Sequence, residues 1–116
     1  MPPWAPILGD EKVKQVTAHV VNLSGGTADP KLAEAGKALF ASTCTACHGM
    51  DGKGNQLIGA PDLTNAIWLY GGAPGQIEHS IAAGRAGQMP TFEQTLGAQK
   101  VRIVAAYVYS LSQPKK

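Results

Sequence analysis

Long hydrophobic runs are missing from this 116-residue chain, and no stretch approaches the roughly 20 apolar residues of a transmembrane helix. The first ten residues lack the basic start and apolar core of a secretory signal peptide. Basic residues exceed acidic residues by only two and are scattered, a pattern that argues against nucleic-acid binding. We therefore expect a soluble piece without a membrane span or a nucleic-acid partner, and any export signal would lie upstream.

Large side chains are scarce as well, with two Trp, three Tyr and two Phe against 14 Gly. A domain this small buries little apolar surface when its core is built from small residues. A large apolar cofactor would supply the missing core. No segment alternates apolar and polar residues for long enough to predict a strand, so we expect an all-α fold.

Apolar spacings of three and four residues predict the helices. Asp29 and Pro30 form a typical helix start, an N-cap followed by proline. Glycine at position 84 is a typical helix stop. The last helix is expected to bury a stripe that includes Val101, Val104 and Val108. The predicted helices cover residues 10–23, 29 to about 44, 64–70, 76–83 and 98–112.

The only two cysteines lie in the stretch CTACH, as Cys44 and Cys47, and His48 follows directly. A thioredoxin-like redox pair would follow a strand, which is not predicted here. A zinc site would need two further ligands nearby, and the other histidines, His19 and His79, are isolated. The third interpretation is one covalent haem c, whose vinyl groups take up the two thiols and whose iron binds His48. The motif favours this interpretation, which also supplies the missing core.

A haem bound by His48 needs a ligand on its other face, and methionine is typical of cytochromes c. Met50 follows His48 too closely to reach around the ring. Met89 lies in a loop before the last helix, where Pro90 stiffens the backbone. Ordinary core packing is the alternative role of Met89, and His79 is the only rival ligand but is expected at the surface. We expect His48 and Met89 to bind the iron.

The stretch from residue 29 to residue 112 resembles a class I cytochrome c. In that family a helix with a glycine and an aromatic residue crosses the C-terminal helix, and Gly36, Phe40 and Tyr107 fit this pattern. The resemblance implies the class I cytochrome c fold, wrapped around one haem c and preceded here by an extra N-terminal helix.

The resemblance also implies a role for Pro61, whose carbonyl would accept a hydrogen bond from the ring of His48 and fix the imidazole. Trp68, Tyr70 and Arg85 carry donors that could meet the haem propionates. Packing or a solvated surface position is the alternative for each of the three. Trp68 and Tyr70 are expected to line the haem pocket.

A narrower resemblance is to the second haem domain of the membrane-anchored di-haem subunit of cbb3-type cytochrome c oxidases. The stretches that carry it are HGMDGKGNQLIGAPDLTNAIWLYGG, IAAGRAGQMP and LGAQKVRIVAAYVYSLS. The resemblance implies a domain on the periplasmic side of the bacterial inner membrane. It would relay electrons from soluble donor cytochromes c toward the haem–copper subunit, without catalysis of its own. The alternatives are a free soluble mono-haem carrier and a haem enzyme or gas sensor with an open distal face.

The chain begins with a repeat of its own ending. At an offset of 88, residues 1–24 match residues 89–112 without a gap, and 11 positions are identical. Met1 falls on Met89. An initiator methionine ahead of a natural helix would explain Met1 alone, whereas matches at this density indicate an internal repeat.

The repeat predicts that the leading residues are the end of a preceding haem domain, which would be a further partner. Met1 is then expected to bind no iron in the domain at hand. The apolar stripe of the first helix should pack back on this domain or on another copy. The predicted parts are a remnant at 1–24, a linker at 25–28 and a mono-haem cytochrome domain at 29–116.

Overall fold

Helices follow one another along the whole of the chain that the structure describes, residues 1–115 of a computed structural model. These residues contain no strand, and the predicted all-α class is confirmed. A 3₁₀ turn spans Gln56–Ile58. The α-helices are α1 Ala5–Leu8, α2 Asp10–Leu23, α3 Pro30–Thr43, α4 Thr45–His48, α5 Pro74–Ala83, α6 Glu93–Leu96 and α7 Ala98–Leu111.

The chain forms two compact units, which divide between Ala86 and Gly87. The first unit contains helices α1 to α5, and the second contains α6 and α7. Residues 1–24 belong to the first unit, and the division into a remnant at 1–24, a linker at 25–28 and a haem domain at 29–116 stays a prediction.

Helix α2 forms the core of the first unit by packing on α3 and α5. Val13, Val16 and Val20 are each at most 3 % exposed, so the stripe packs back on the domain as expected. The two helices cross at Gly36, where a Cβ atom would collide with the carbonyl oxygen of Gln15. A side chain at this position would force the helices apart.

The pairing of α3 with the C-terminal helix stays a prediction. The resemblance assigned the partner of α3 to the C-terminal helix, through Gly36, Phe40 and Tyr107. In the first unit the partner is α2, and the ring of His19 packs edge-on against buried Phe40 at a centroid distance of 5.1 Å. Tyr107 lies on α7 in the second unit, where its side chain is 64 % exposed.

The helices that flank the haem motif begin and end where the sequence predicts. Asp29 Oδ1 accepts hydrogen bonds from the backbone of Lys31 and Leu32, at 2.9 and 3.3 Å, and thereby caps α3. Helix α5 buries Ile77 and Ile81 and ends before position 84, where a glycine has a φ of +71°. The predictions of both helices are confirmed.

The predicted helix over residues 64–70 is wrong. Asp62 Oδ1 accepts from the backbone nitrogen of Thr64 at 2.7 Å, and Asn65 Oδ1 accepts from that of Ile67 at 2.9 Å. These side-chain oxygens take up backbone donors that a helix would use internally. The segment is therefore a series of bends.

The second unit consists of α6 and α7 joined at Gly97. Its apolar residues are not buried within it: Val104, Val108 and Leu111 are 49 %, 58 % and 66 % exposed. The helix is predicted correctly from its periodicity, and the expected burial of its stripe stays a prediction.

The sequence repeat is also a structural repeat. Helices α1 and α2 have the same lengths as α6 and α7, and each of their four ends shifts by 88 residues. The joints match too, since Gly9 has φ +82° and ψ 161° whereas Gly97 has φ +81° and ψ 156°. We call residues 1–24 the leading segment and residues 89–112 the trailing segment.

Candidate haem site

A cavity of about 560 Å³ opens in the first unit, between α2, α3, α5 and the loop that joins α4 to α5. This volume lies in the range of cofactor pockets. Every residue that lines the cavity belongs to the first unit. The apolar part of its wall includes Val16, Val20, Phe40, Leu63, Ile77 and Ile81.

The haem motif sits at the end of α3 and on the single turn α4, and its three reactive side chains all line the cavity. Cys44 and Cys47 are free thiols. Burial raises the pKa of the Cys44 thiol, and a contact with the Thr43 hydroxyl at 3.5 Å partly opposes that rise. Both thiols are therefore available for covalent attachment of a group in the cavity.

His48 is oriented by the backbone of the following loop. Its Nδ1 lies 3.1 Å from the carbonyl oxygen of Pro61, the residue that the resemblance names. Because a carbonyl oxygen can only accept, Nδ1 is the donor and Nε2 keeps its lone pair for a metal. Gly54 makes the return of the loop possible, since it has a φ of +84° and a Cβ there would collide with Ala60 and Pro61.

The three predicted partners of the haem propionates come together on the cavity wall. The guanidinium carbon of Arg85 lies 4.1 Å from the ring centroid of Tyr70, close enough for a cation–π interaction. Arg85 Nε also donates to Ser80 Oγ at 3.0 Å. Trp68 is half-buried beside them. The remaining guanidinium donors are available for an anionic group.

Met1 lies in the first unit and Met89 in the second, and iron ligation by Met89 stays a prediction. Met1 lines the cavity, and its backbone pairs with Arg85 through two hydrogen bonds, of 2.8 and 3.0 Å. Met89 lies in the second unit with its side chain 84 % exposed. Met50 is 93 % exposed, and His79 is also exposed. The repeat, which aligns Met1 with Met89, is the sequence signal that points to Met1 as a residue of the cavity wall.

The residues present fit a haem c. Two thiols three positions apart, an imidazole with a free Nε2 and a large apolar cavity lie together in one unit. Thioether attachment and histidine ligation need this donor set, and an apolar macrocycle needs this wall.

Comparison with known proteins decides the family. A family model described as "Cytochrome C oxidase, cbb3-type, subunit III" matches residues 31–108. The chain belongs to this family. Membership in this cytochrome c family implies haem c, and Cys44, Cys47 and His48 fit its attachment motif.

Relatives of the subunit III family are similar over nearly the whole chain. The cbb3-type cytochrome c oxidase subunit FixPc of Rhizobium leguminosarum is 43 % identical over 111 residues, 96 % of this chain and 39 % of that protein. Subunit CcoP of Cereibacter sphaeroides is 40 % identical over 105 residues, 90 % of this chain and 36 % of that protein. Subunit CcoP of Rubrivivax gelatinosus is 42 % identical over 114 residues, 97 % of this chain and 37 % of that protein. The chain thus spans less than two fifths of the length of these relatives.

The helices of this subunit III homologue are short. Within residues 1–115, none combines the length and the apolar character that crossing a bilayer requires.

Proposed function

We propose that this chain is an electron-transfer domain that carries one haem c and relays single electrons. In this proposal the domain receives electrons from soluble donor cytochromes c and passes them toward the haem–copper subunit of a cbb3-type oxidase. It would do so on the periplasmic side of the bacterial inner membrane. The observation that carries the proposal is the convergence of Cys44, Cys47 and His48 on one apolar cavity in a member of the subunit III family.

The bound haem supplies a reversible one-electron couple at its iron. The chain's own residues hold and shield it. Cys44 and Cys47 would hold the haem through two thioethers, since addition of each S–H across one vinyl group needs no oxidant. Pro61 keeps the His48 ring in one orientation, which limits the rearrangement that accompanies a change of charge. The buried valines and isoleucines exclude water from the wall.

The second iron ligand is proposed to be a methionine. Met89 is the ligand that the sequence supports, because it lies in the loop before the last helix of the cytochrome domain. Met1 has the equivalent position in the repeat and lines the cavity. How the two methionines are related is the subject of the further inference below.

Arg85, Tyr70 and Trp68 are proposed to face the haem propionates. Arg85 supports this role best, because Tyr70 and Ser80 hold its guanidinium at the cavity. A guanidinium fixed in this way can pair with a carboxylate through two parallel hydrogen bonds. The two aromatic side chains would add single donors from their ring nitrogen and hydroxyl.

The proposed docking surface for redox partners is the rim of the cavity. Ile58, Ile67 and Leu69 line the cavity and expose between 59 % and 89 % of their surface. Asp62 is the only charged residue between Gly54 and Ile77. A rim that is apolar and nearly uncharged favours brief encounters whose rates depend weakly on salt.

Haem loading of the full chain, expressed with an export leader in a host that attaches haem c, tests the proposal. We expect an intact mass that corresponds to one haem and a low-spin spectrum in both oxidation states. His48→Ala should lose the low-spin spectrum, whereas His79→Ala is the matched control at an exposed histidine and should keep it. A chain without covalent haem would contradict the proposed function.

Two further measurements separate the alternatives. Ferrous protein that binds carbon monoxide tightly would favour the gas sensor or haem enzyme over the electron carrier. Stable association with the haem–copper subunit would favour the oxidase role. Rapid electron exchange with soluble cytochromes but no such association would favour a free mono-haem carrier.

A further inference from the structure

We propose that the leading and trailing segments compete for one surface, formed by α3 and α5, and that each brings its own methionine to the haem. In the arrangement described, the leading segment occupies the surface and Met1 is the ligand. After exchange, the trailing segment occupies it and Met89 is the ligand. This reverses the expectation that Met1 binds no iron here. The methionine part of the proposal rests on the proposed haem function, whereas the competition for the surface does not.

Three close contacts of the surface are with the backbone of the leading segment. At Gly36 the nearest atoms of α2 are the carbonyl of Gln15 and the nitrogen of Val16. At α5 the Trp4 nitrogen donates to the Ile81 carbonyl at 3.0 Å. Gly84 gives room for the backbone of Met1, Pro2 and Pro3, since a Cβ there would lie 2.5 to 2.8 Å from it. Backbone contacts of this kind do not depend on which side chains a segment carries.

The trailing segment has the same form and presents the same stripe. Val101, Val104 and Val108 replace three of the four buried valines of α2 by identical residues, whereas the fourth, Val21, is replaced by Tyr109. Two positions differ without consequence for the interface. Gln15 becomes Ile103 where the contact with Gly36 is through the backbone. Thr17 becomes Ala105, and the Thr17 hydroxyl bonds only to a carbonyl of its own helix.

The length of chain allows the exchange within one molecule. Met1 lies beside Arg85, to whose backbone it is hydrogen-bonded. Met89 follows Arg85 by only four residues, which span up to about 14 Å when extended. Met89 can therefore reach the place of Met1 without disturbing α5. The glycine pair at 25–26 follows α2 and allows the leading segment to move away.

The first test removes each thioether in turn, in Met1→Leu, Met89→Leu and the double variant of the haem-loaded full chain. The readout is the near-infrared thioether-to-iron band of the ferric protein, and intact mass establishes that Met1 is present. We expect each single variant to keep the band and the double variant to lose it. Loss of the band in Met89→Leu alone, or in Met1→Leu alone, would overturn the proposal, because either result assigns the site to one methionine.

The second test uses stability and does not depend on iron ligation. Val16→Asp places a charge on the buried face of the leading segment, and Val104→Asp is its match in the trailing segment. We expect each single variant to keep a cooperative unfolding transition in circular dichroism, and the double variant to lose it. If Val16→Asp alone abolishes the transition, the trailing segment cannot replace the leading one and the proposal fails.

The same variants show whether the exchange stays within one chain. Val16→Asp should remain a monomer in sedimentation velocity at all concentrations. Dimers that dissociate on dilution would mean that the surface takes the trailing segment of a second copy, and would overturn exchange within the molecule. A chain that attaches no haem would refute the proposed function, and the aspartate variants would still decide whether the segments compete.

Discussion

The leading and trailing segments have helices of the same lengths and share three valines of the apolar stripe, and these valines differ in exposure. Val16 is 1 % exposed at the centre of the first unit, whereas its equivalent Val104 is 49 % exposed on α7. The helices of the two segments begin and end at equivalent residues. The backbone angles of the joining glycines, Gly9 and Gly97, agree to within a few degrees. Local structure is therefore set by the local sequence, and burial is set by which segment meets α3.

The largest expected effect breaks the contact that the leading segment makes with α3. In Gly36→Ala the new methyl group would meet the backbone of Gln15, which cannot move without displacing α2. We expect the free energy of unfolding to fall by about 3 kcal/mol in urea titrations. The loss should persist whichever segment is bound, because both would meet the same methyl group.

Gly75→Ala is the control for this variant. Gly75 also lies in a helix, α5, but a Cβ there has no neighbour within 4 Å. Greater helix propensity should leave this variant equally stable or more stable, by up to about 1 kcal/mol. Equal losses in both alanine variants would contradict a close approach of α2 at Gly36.

A second, smaller effect compares equivalent valines directly. Val16→Ala removes two buried methyl groups and should lower the free energy of unfolding by about 2 kcal/mol. Val104→Ala removes the same groups from an exposed position and should change it by less than about 0.5 kcal/mol. Thermal or urea unfolding of the matched pair measures both values. Equal losses would show that the two stripes are equally buried.

The smallest effect concerns a position at which the segments differ, His19 and its equivalent Tyr107. Burial lowers the pKa of His19, the charge of Lys37 lowers it further, and Glu34 partly opposes the change. The unfolded chain therefore binds this proton more readily than the folded one. The contribution of His19 to stability is complete above the unfolded pKa, near 6.5, and is lost as the pH falls below it.

His19→Tyr gives the leading segment the residue of the trailing one and removes this titration. The free energy of unfolding is measured for the parent and the variant between pH 5 and pH 8. The difference, parent minus variant, should rise with pH. The slope should stay below the 1.4 kcal/mol per pH unit that a single proton allows. A difference that does not change with pH would mean that His19 is as solvated in the folded chain as in the unfolded one.

The sequence predicts most of the helices because their signals are local. The spacing in α2, the Asp29 cap of α3 and the stop after α5 lie within a few residues of the structure they determine. Residues 64–70 fail for an equally local reason, since two Asx turns capture the donors of the helix. The apolar spacing there concealed the polar side chains that decide the conformation.

The part of the haem site that a short sequence motif contains was predictable. Cys44, Cys47, His48 and Pro61 are carried by one short stretch and its loop, and they lie together in the structure. The helix that packs on α3 was not predictable from the apolar stripe, because α2 and α7 carry valines at three equivalent positions of that stripe. Hydrophobic periodicity identifies the apolar face of a helix but does not say which element packs against that face.

The place of Met1 beside Arg85 has a consequence for the order of the chain. Along residues 1–86 the order is a loop with a methionine, helix α2, the capped helix α3, the haem motif and α5. The stretch 29–112 has equivalent parts in circularly permuted order. The linker at 25–28 serves as the new connection between the old ends. A tandem duplication of a small domain thus creates a permuted copy wherever two units adjoin, and a new boundary can be chosen without designing a new fold.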